Sequence, residues 1–224
     1  MQKQLALVKR ADGTTREAFA EAYLAHCRAL AAAPTGGVGG LTVNIVDIPA
    51  EEAGLRPGGE PMFDAVLEAW FDGEGEPQFG AKAGLTGSFH NYAIEEFVEK
   101  PATRDWAVGD RSPGVKSFFL ALRHPSLTHD EMAKYWGEQH APLAVRIHIG
   151  MWRYTRNVVS RALTPEAPDW DGMANLQFRT SEDLRERFYD SAAGRRAIDE
   201  DVAKFSGGGR ALYTSEWILV APPA

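Results

Sequence analysis

The chain holds a single cysteine, Cys27, among its 224 residues. An internal disulfide is excluded, and the count fits a reducing cytoplasm, where this reading places the protein. No apolar run approaches the ~20 residues that cross a bilayer as a helix. The opening MQKQLALVKR has a short apolar core and no small-residue cleavage site, so it reads as a strand rather than a signal peptide. Positive charge is in deficit: 24 Lys and Arg against 31 Asp and Glu give a net charge of −7. That balance argues against nucleic acid or an anionic membrane as a partner. Metal-ligand spacings are missing as well. There is no His-x-His or His-Glu-x-x-His, and His148 is the nearest second imidazole to His140. GGVGG at 36–40 follows a helix and opens a strand, the reverse of a dinucleotide loop, so it and GGG at 207–209 read as connectors. No nucleophile elbow and no cofactor motif appears, so neither a metal nor a cofactor is expected.

What is present repeats itself. KQLALVKR (3–10) and KSFFLALR (116–123) are apolar runs ending in a basic residue, and each leads through a polar turn into a helix start. TREAFAEAYLAHCRAL (15–30) aligns with THDEMAKYWGEQHAPL (128–143), setting Thr15 on Thr128, Phe19 on Met132 and Tyr23 on Trp136. FDAVLEAWFD (63–72) aligns with WDGMANLQFR (170–179), and HNYAIEEFV (90–98) with RALYTSEWI (210–218), Glu96 opposite Glu216. Matches in the same order in both halves imply a duplication. The boundaries are 1–103 for the first repeat, 104–114 for the linker and 115–224 for the second.

Each half reads strand, helix, strand, strand, helix, strand. Thr128 with Glu131 forms a capping box, and Thr15 keeps the cap alone. LTVNIVDI (41–48) and MWRYTRNVV (151–159) are the second strands. The last helix of the second half spans 181–205 with a break near Gly194, and its counterpart around PQFGAKAGL (77–85) is shorter and weaker. Segments 51–61 and 163–171 are loops. A βαββαβ unit is ferredoxin-like, with both helices on one face of a four-stranded antiparallel sheet. The first strands are apolar on both sides, so the other sheet face is also buried. The simplest cover is the other repeat's sheet. The expected fold is α+β: two tandem ferredoxin-like repeats forming a pseudo-twofold barrel within one chain. No second chain is needed to complete it, and a monomer or a homodimer through outer surfaces is expected.

One helix carries an anomaly. In HDEMAKYWGEQHAPL (129–143), His140 falls on the apolar stripe with Met132 and Trp136. With that element in view, the chain resembles the EthD-domain family of the dimeric α+β barrel superfamily. The resemblance rests on YWGEQHAPLA (135–144) and WDGMANLQF (170–178), with fainter copies in YLAHCRALA (23–31) and FDAVLEAWF (63–71). Cys27 stands where His140 stands, and His26 is one place early. The resemblance implies a cleft between helices and sheet for a small, mostly apolar or aromatic molecule. It implies lyase, dehydratase, isomerase, cyclase or cofactor-free oxygenase chemistry there, and heme binding in some relatives.

Within such a cleft His140 is a structural imidazole bonded to backbone, a general acid/base or, least favoured by the spacings, a metal ligand. Tyr135 or Trp136 would form a wall. Tyr23 could donate a proton, with His26 beside it. Asp64 and Asp171, each after an aromatic at the head of a third strand, are turn residues or carboxylates that orient a histidine. Glu68 and Asn175 are aligned polar residues inside those strands, and each needs a partner across the barrel or on a ligand. Trp152, Tyr154 and Arg156 share a strand face that binds substrate or forms an inter-repeat surface. The leading expectation is a cofactor-independent lyase or dehydratase with His140, Tyr23 and Asp171 as catalytic residues. The alternatives are a cofactor-free oxygenase on a similar substrate and a non-catalytic binder of an apolar metabolite.

Overall fold

The computed structural model describes residues 1–49 and 60–223. Most of the loop expected at 51–61 lies outside them. The first half contains β1 (Gln2–Arg10), α1 (Arg16–Ala32), β2 (Val38–Ile45), β3 (Ala65–Phe71) and β4 (Thr86–Lys100). The second contains β5 (Val115–Arg123), α2 (His129–Tyr135), a π turn (Trp136–His140), α3 (Ala141–Ile147), β6 (Met151–Ala162), β7 (Gly172–Phe178), α4 (Ser181–Glu186), α5 (Ala192–Phe205) and β8 (Ser206–Val220).

All eight strands join one closed antiparallel ring in the order β1-β3-β2-β8-β5-β7-β6-β4. Each half contributes a contiguous ferredoxin-like sheet, β4-β1-β3-β2 and β8-β5-β7-β6. The halves meet edge to edge, β2 on β8 and β4 on β6. The expectation of two opposed sheets is met inside the ring, and its closure leaves no free sheet edge. Leu5 and Leu7 from β1 meet Phe118 and Leu120 from β5 in the lumen, with Val66, Met173 and Leu212. All are buried by this one chain.

The rest of the lumen is charged. Lys3 shares the inward face with Leu5 and Leu7 by the two-residue period, as Lys116 does with Phe118. Lys3 Nζ donates to Glu68 at 2.7 Å, Glu96 at 2.6 Å and Asn157 at 2.8 Å. Lys116 Nζ donates to Glu216 at 2.7 Å and also to Glu68. Asn175 Nδ2 donates to Glu68 at 3.1 Å, so the partner each polar residue required lies across the barrel. Burial alone would raise the Glu68 carboxyl, but Lys116 and Lys3 override it and hold the group well below the carboxylate range.

Thr15 and Thr128 cap their helices, and Glu131 completes the box on Thr128. Two helical expectations change. Residues 77–85 form turns instead of a helix, since Gly80 and Gly84 adopt φ of +93° and +76°, a region no α-helix uses. The break in the 181–205 segment falls between α4 and α5, ahead of Gly194, which lies inside α5 on a Ser191 cap. Residues 101–114 run as an irregular strap beside β8, with Gly109 N–H on Ile218 O and Ser112 N–H on Glu216 O, both at 2.7 Å. Among the described residues no helix is long and apolar enough to cross a membrane.

Candidate active site

The helical segment that starts at Thr128 widens for one turn at Trp136–His140, where Ala141 N–H reaches back to Trp136 O. Pro142 accounts for this: it lacks an N–H, and its ring would strike the carbonyl four residues earlier in a regular helix. The wide turn keeps Trp136 and His140 on one face, both buried. Single π turns recur at functional sites.

That face roofs a cavity of about 510 Å³ in the second half, within the range of ~300–1,000 Å³ usual for small-molecule sites. Trp136, His140 and Ala144 line it from the helix side, with Ile198, Val202 and Phe205 from α5. Its floor is the outer face of the sheet: Phe119 and Ala121 from β5, Ala174 and Leu176 from β7, Tyr154 from β6 and Ala211 from β8. His148, Phe188 and Tyr189 close one end, and exposed Asp199 and Arg210 stand among its rim residues.

His140 Nδ1 lies 2.9 Å from Asp201 Oδ2, and Tyr135 O–H donates to Asp201 Oδ1 at 2.7 Å. The carboxylate can only accept, which fixes the proton on Nδ1 and leaves Nε2 as a bare lone pair. Among the described residues Nε2 has no hydrogen-bond partner, and the ring borders the cavity. Burial lowers the His140 pKa, Asp201 offsets part of that, and Arg156 lowers it further. At neutral pH the imidazole is therefore neutral. Burial would raise Asp201, but its bonds to Tyr135 and His140 hold it below the usual value. His148 is pushed down to about 4, mainly by burial, while its Nδ1–H donates to Phe188 O at 2.5 Å. The result is a neutral, oriented base in an apolar chamber.

The other sequence candidates lie elsewhere. Asp171 is held by Arg123, through backbone N–H at 2.7 Å and guanidinium at 2.6 Å, and by His129 at 2.9 Å. Asp64 repeats this with Arg10 in the first half. Both carboxylates tie a first strand to a third, and neither lines the cavity. Tyr23 is fully enclosed between Phe19, stacked at 5.1 Å, and Cys27 in the first-half core. His26 is half-buried beside it, 6.2 Å between ring centres. Glu68 and Asn175 are in the barrel lumen. Trp152 sits against Trp106 of the strap and under Arg179. Tyr135 stands behind His140 rather than in the wall. Trp136 and Tyr154 do line the cavity. Among the described residues no cluster of three or more His, Cys, Asp or Glu could hold a metal.

Asp201 is the residue that sequence reading passed over, and His148 entered it only as the nearest second imidazole to His140. The signal for Asp201 was available: with Ile198 and Phe205 it lies on the buried stripe of α5, a carboxylate placed as anomalously as His140.

The halves differ in their floors. In the duplication Ala121 aligns with Val8, and Ala174 with Leu67. Leu67 and Val8 fill the first-half core, and Phe79, Ala81 and Leu85 of the 77–85 turns pack onto it in place of a helix. Small residues on the sheet therefore open the second-half chamber. Ala174→Leu, which restores the bulk of Leu67, should fill the cavity and lower ligand affinity about tenfold or more while the protein stays folded. Calorimetric titration beside circular dichroism checks this, and unaltered affinity would contradict it.

Residues 124–209, which carry the π turn, His140, His148 and Asp201, match the EthD domain. No curated protein matches the chain. Among solved structures it resembles an anthrone oxidase-like protein at 16% identity and TM-score 0.60, covering 100% of this chain and 96% of that one. It also resembles a "putative monooxygenase" from Lactobacillus acidophilus NCFM, at 9% identity and TM-score 0.54, with coverage of 99% and 97%. A third, of the same description from Fusobacterium nucleatum subsp. nucleatum, has 9% identity, TM-score 0.52 and coverage of 97% and 92%. At these identities the likeness is one of fold, and it extends over both halves.

Proposed function

We propose that the second-half cavity oxidises a flat, apolar aromatic ketone or phenol at an acidified C–H, with His140 as the base and molecular oxygen as the oxidant. The observation that carries this reading is a buried, neutral His140, oriented by Asp201, on the wall of an apolar chamber. Nε2 takes the proton, and the C–H electron pair becomes a carbanion delocalised onto the ketone oxygen. That electron-rich species reduces oxygen, a C–O bond forms, and the proton returns to the peroxide. Loss of water then turns a ring CH₂ into C=O, so one O₂ is consumed and one H₂O released.

The apolar walls suit both a planar substrate and dioxygen, and they keep water from reprotonating the carbanion. The structural neighbours named oxidase and monooxygenase support oxidation, and they lend nothing to the lyase expectation. An elimination would begin with the same proton transfer, so the overall stoichiometry separates the two. With anthrone as the assay compound, an oxygen electrode should record one O₂ per ketone consumed. The product should have gained one oxygen and lost two hydrogens. Anthrone has no leaving group that an elimination could expel, so oxygen uptake no faster than in buffer would overturn this reading.

A further inference from the structure

We infer that Tyr154 is a second catalytic group of this cavity, donating its phenolic O–H to the carbonyl oxygen of the bound ketone, and that Trp136 is the positioning residue that aims it. The inference rests on the function proposed above and adds the group that receives the charge His140 creates. As the C–H bond breaks, its electron pair moves toward the ketone oxygen. A fixed donor at that oxygen stabilises the enolate more than the ketone. Tyr154 keeps its proton throughout, and the C–H proton goes to His140.

The geometry fixes the donor's direction. Tyr154 stands on β6 in the cavity floor, 1% exposed. Trp136 Nε1–H donates to its hydroxyl oxygen at 2.8 Å. Indole nitrogen can only donate, so the phenol accepts this bond and its own hydrogen must go elsewhere. Among the described residues no protein acceptor takes it. Burial pushes the phenol well above its ordinary value, so the hydrogen is present at neutral pH. Trp136 reaches this position because Gly172 leaves room: a Cβ there would come within 2.4 Å of the indole ring. Trp136 and His140 close the same π turn, so one local distortion of the helix sets both the base and the orientation of the donor.

The first half supplies an internal control. Aligning Asn44 with Asn157, which make the same bond to the neighbouring third strand, sets Leu41 on Tyr154. Tyr23 stands for Trp136 and Cys27 for His140. Donor, positioner and base are all replaced in the half whose helix packs directly on its sheet, and Leu41 and Cys27 are plain core there. Buried structural tyrosines and tryptophans need not vanish together with a histidine; parts of one reaction site would.

The test is Tyr154→Phe, which removes one oxygen atom and keeps the ring. Oxygen uptake with anthrone should fall about 10²-fold in kcat, the scale for losing one oxyanion donor, with KM little changed. The acid limb that His140 imposes on the pH profile should stay in place. Trp136→Phe should give a smaller loss in the same parameter, since the hydroxyl remains but turns freely. A second readout needs no turnover. The infrared carbonyl stretch of the bound quinone product should lie lower in the wild type than in Tyr154→Phe. Wild-type kcat in Tyr154→Phe, or the same stretch in both proteins, overturns the inference. If that occurs while His140→Ala is inactive, the proposed function survives without it. If the wild type takes up no oxygen, the function falls and the infrared comparison still decides whether Tyr154 meets the carbonyl. Failure of the quinone to bind overturns both.

Discussion

His140→Ala should lower turnover by about 10²-fold or more, the usual scale for removing a general base, while the protein stays folded. The substitution takes away the only bare nitrogen that Asp201 orients, and it leaves Tyr135 and Lys204 to hold that carboxylate. Removing the imidazole from a surface that already borders a cavity adds space continuous with that cavity, so the stability cost should be small. The wild-type pH profile should show one acid limb with a midpoint below the ordinary histidine value of ~6.5, because burial disfavours the imidazolium. The sign is fixed: activity is full above that midpoint and falls as pH drops and Nε2 takes a proton from solvent. Wild-type turnover in His140→Ala would make the histidine scaffold.

The second large effect concerns the barrel lumen. Lys116→Met keeps much of the side-chain volume but strips Glu68 and Glu216 of a shared buried cation. Leaving buried carboxylates short of a partner costs about 3–5 kcal/mol, which for a chain of this size lowers Tm by about 10 °C. Burial would lower the Lys116 ammonium, but Glu216 and Glu68 outweigh it and raise the group. Glu68 is the depressed partner. Its contribution is present above the unfolded carboxylate value of ~4.3 and is lost as pH falls through the folded one. The gap between variant and wild type should therefore be widest near neutrality and narrow in acid. Adding Glu68→Gln to Lys116→Met should recover part of the loss, since it removes one stranded charge. Equal melting of wild type and Lys116→Met at pH 7 would contradict the account of the lumen.

Much of the architecture was legible because duplication leaves marks a sequence keeps. Thr15 and Thr128 announced equivalent helix starts, and the doubly apolar first strands required covered sheets. How the sheets join was not legible, because edge pairing of β2 with β8 and β4 with β6 runs through backbone groups that any residue supplies. The missing first-half helix was visible as weakness in PQFGAKAGL, where two glycines serve left-handed turns. His140 was found because a polar residue on an apolar stripe breaks a pattern. Asp201 broke the same pattern and was passed over, since a lone Asp in a charged helix resembles a solvated one. Asp171 misled because it does face an imidazole, that of His129, at the far end of a strand clamp. Which of the two helix faces retains space depends on Ala174 against Leu67, a difference in volume that spacing does not reveal.

The most direct test of the central claim isolates the proton transfer from the oxygen step. With anthrone in D₂O under strict exclusion of oxygen, deuterium should enter the reacting carbon faster with wild-type protein than in buffer. With His140→Ala, that exchange should fall to the buffer rate. Wild-type exchange no faster than buffer, or equal exchange in His140→Ala, would contradict a base at His140 working in the second-half cavity.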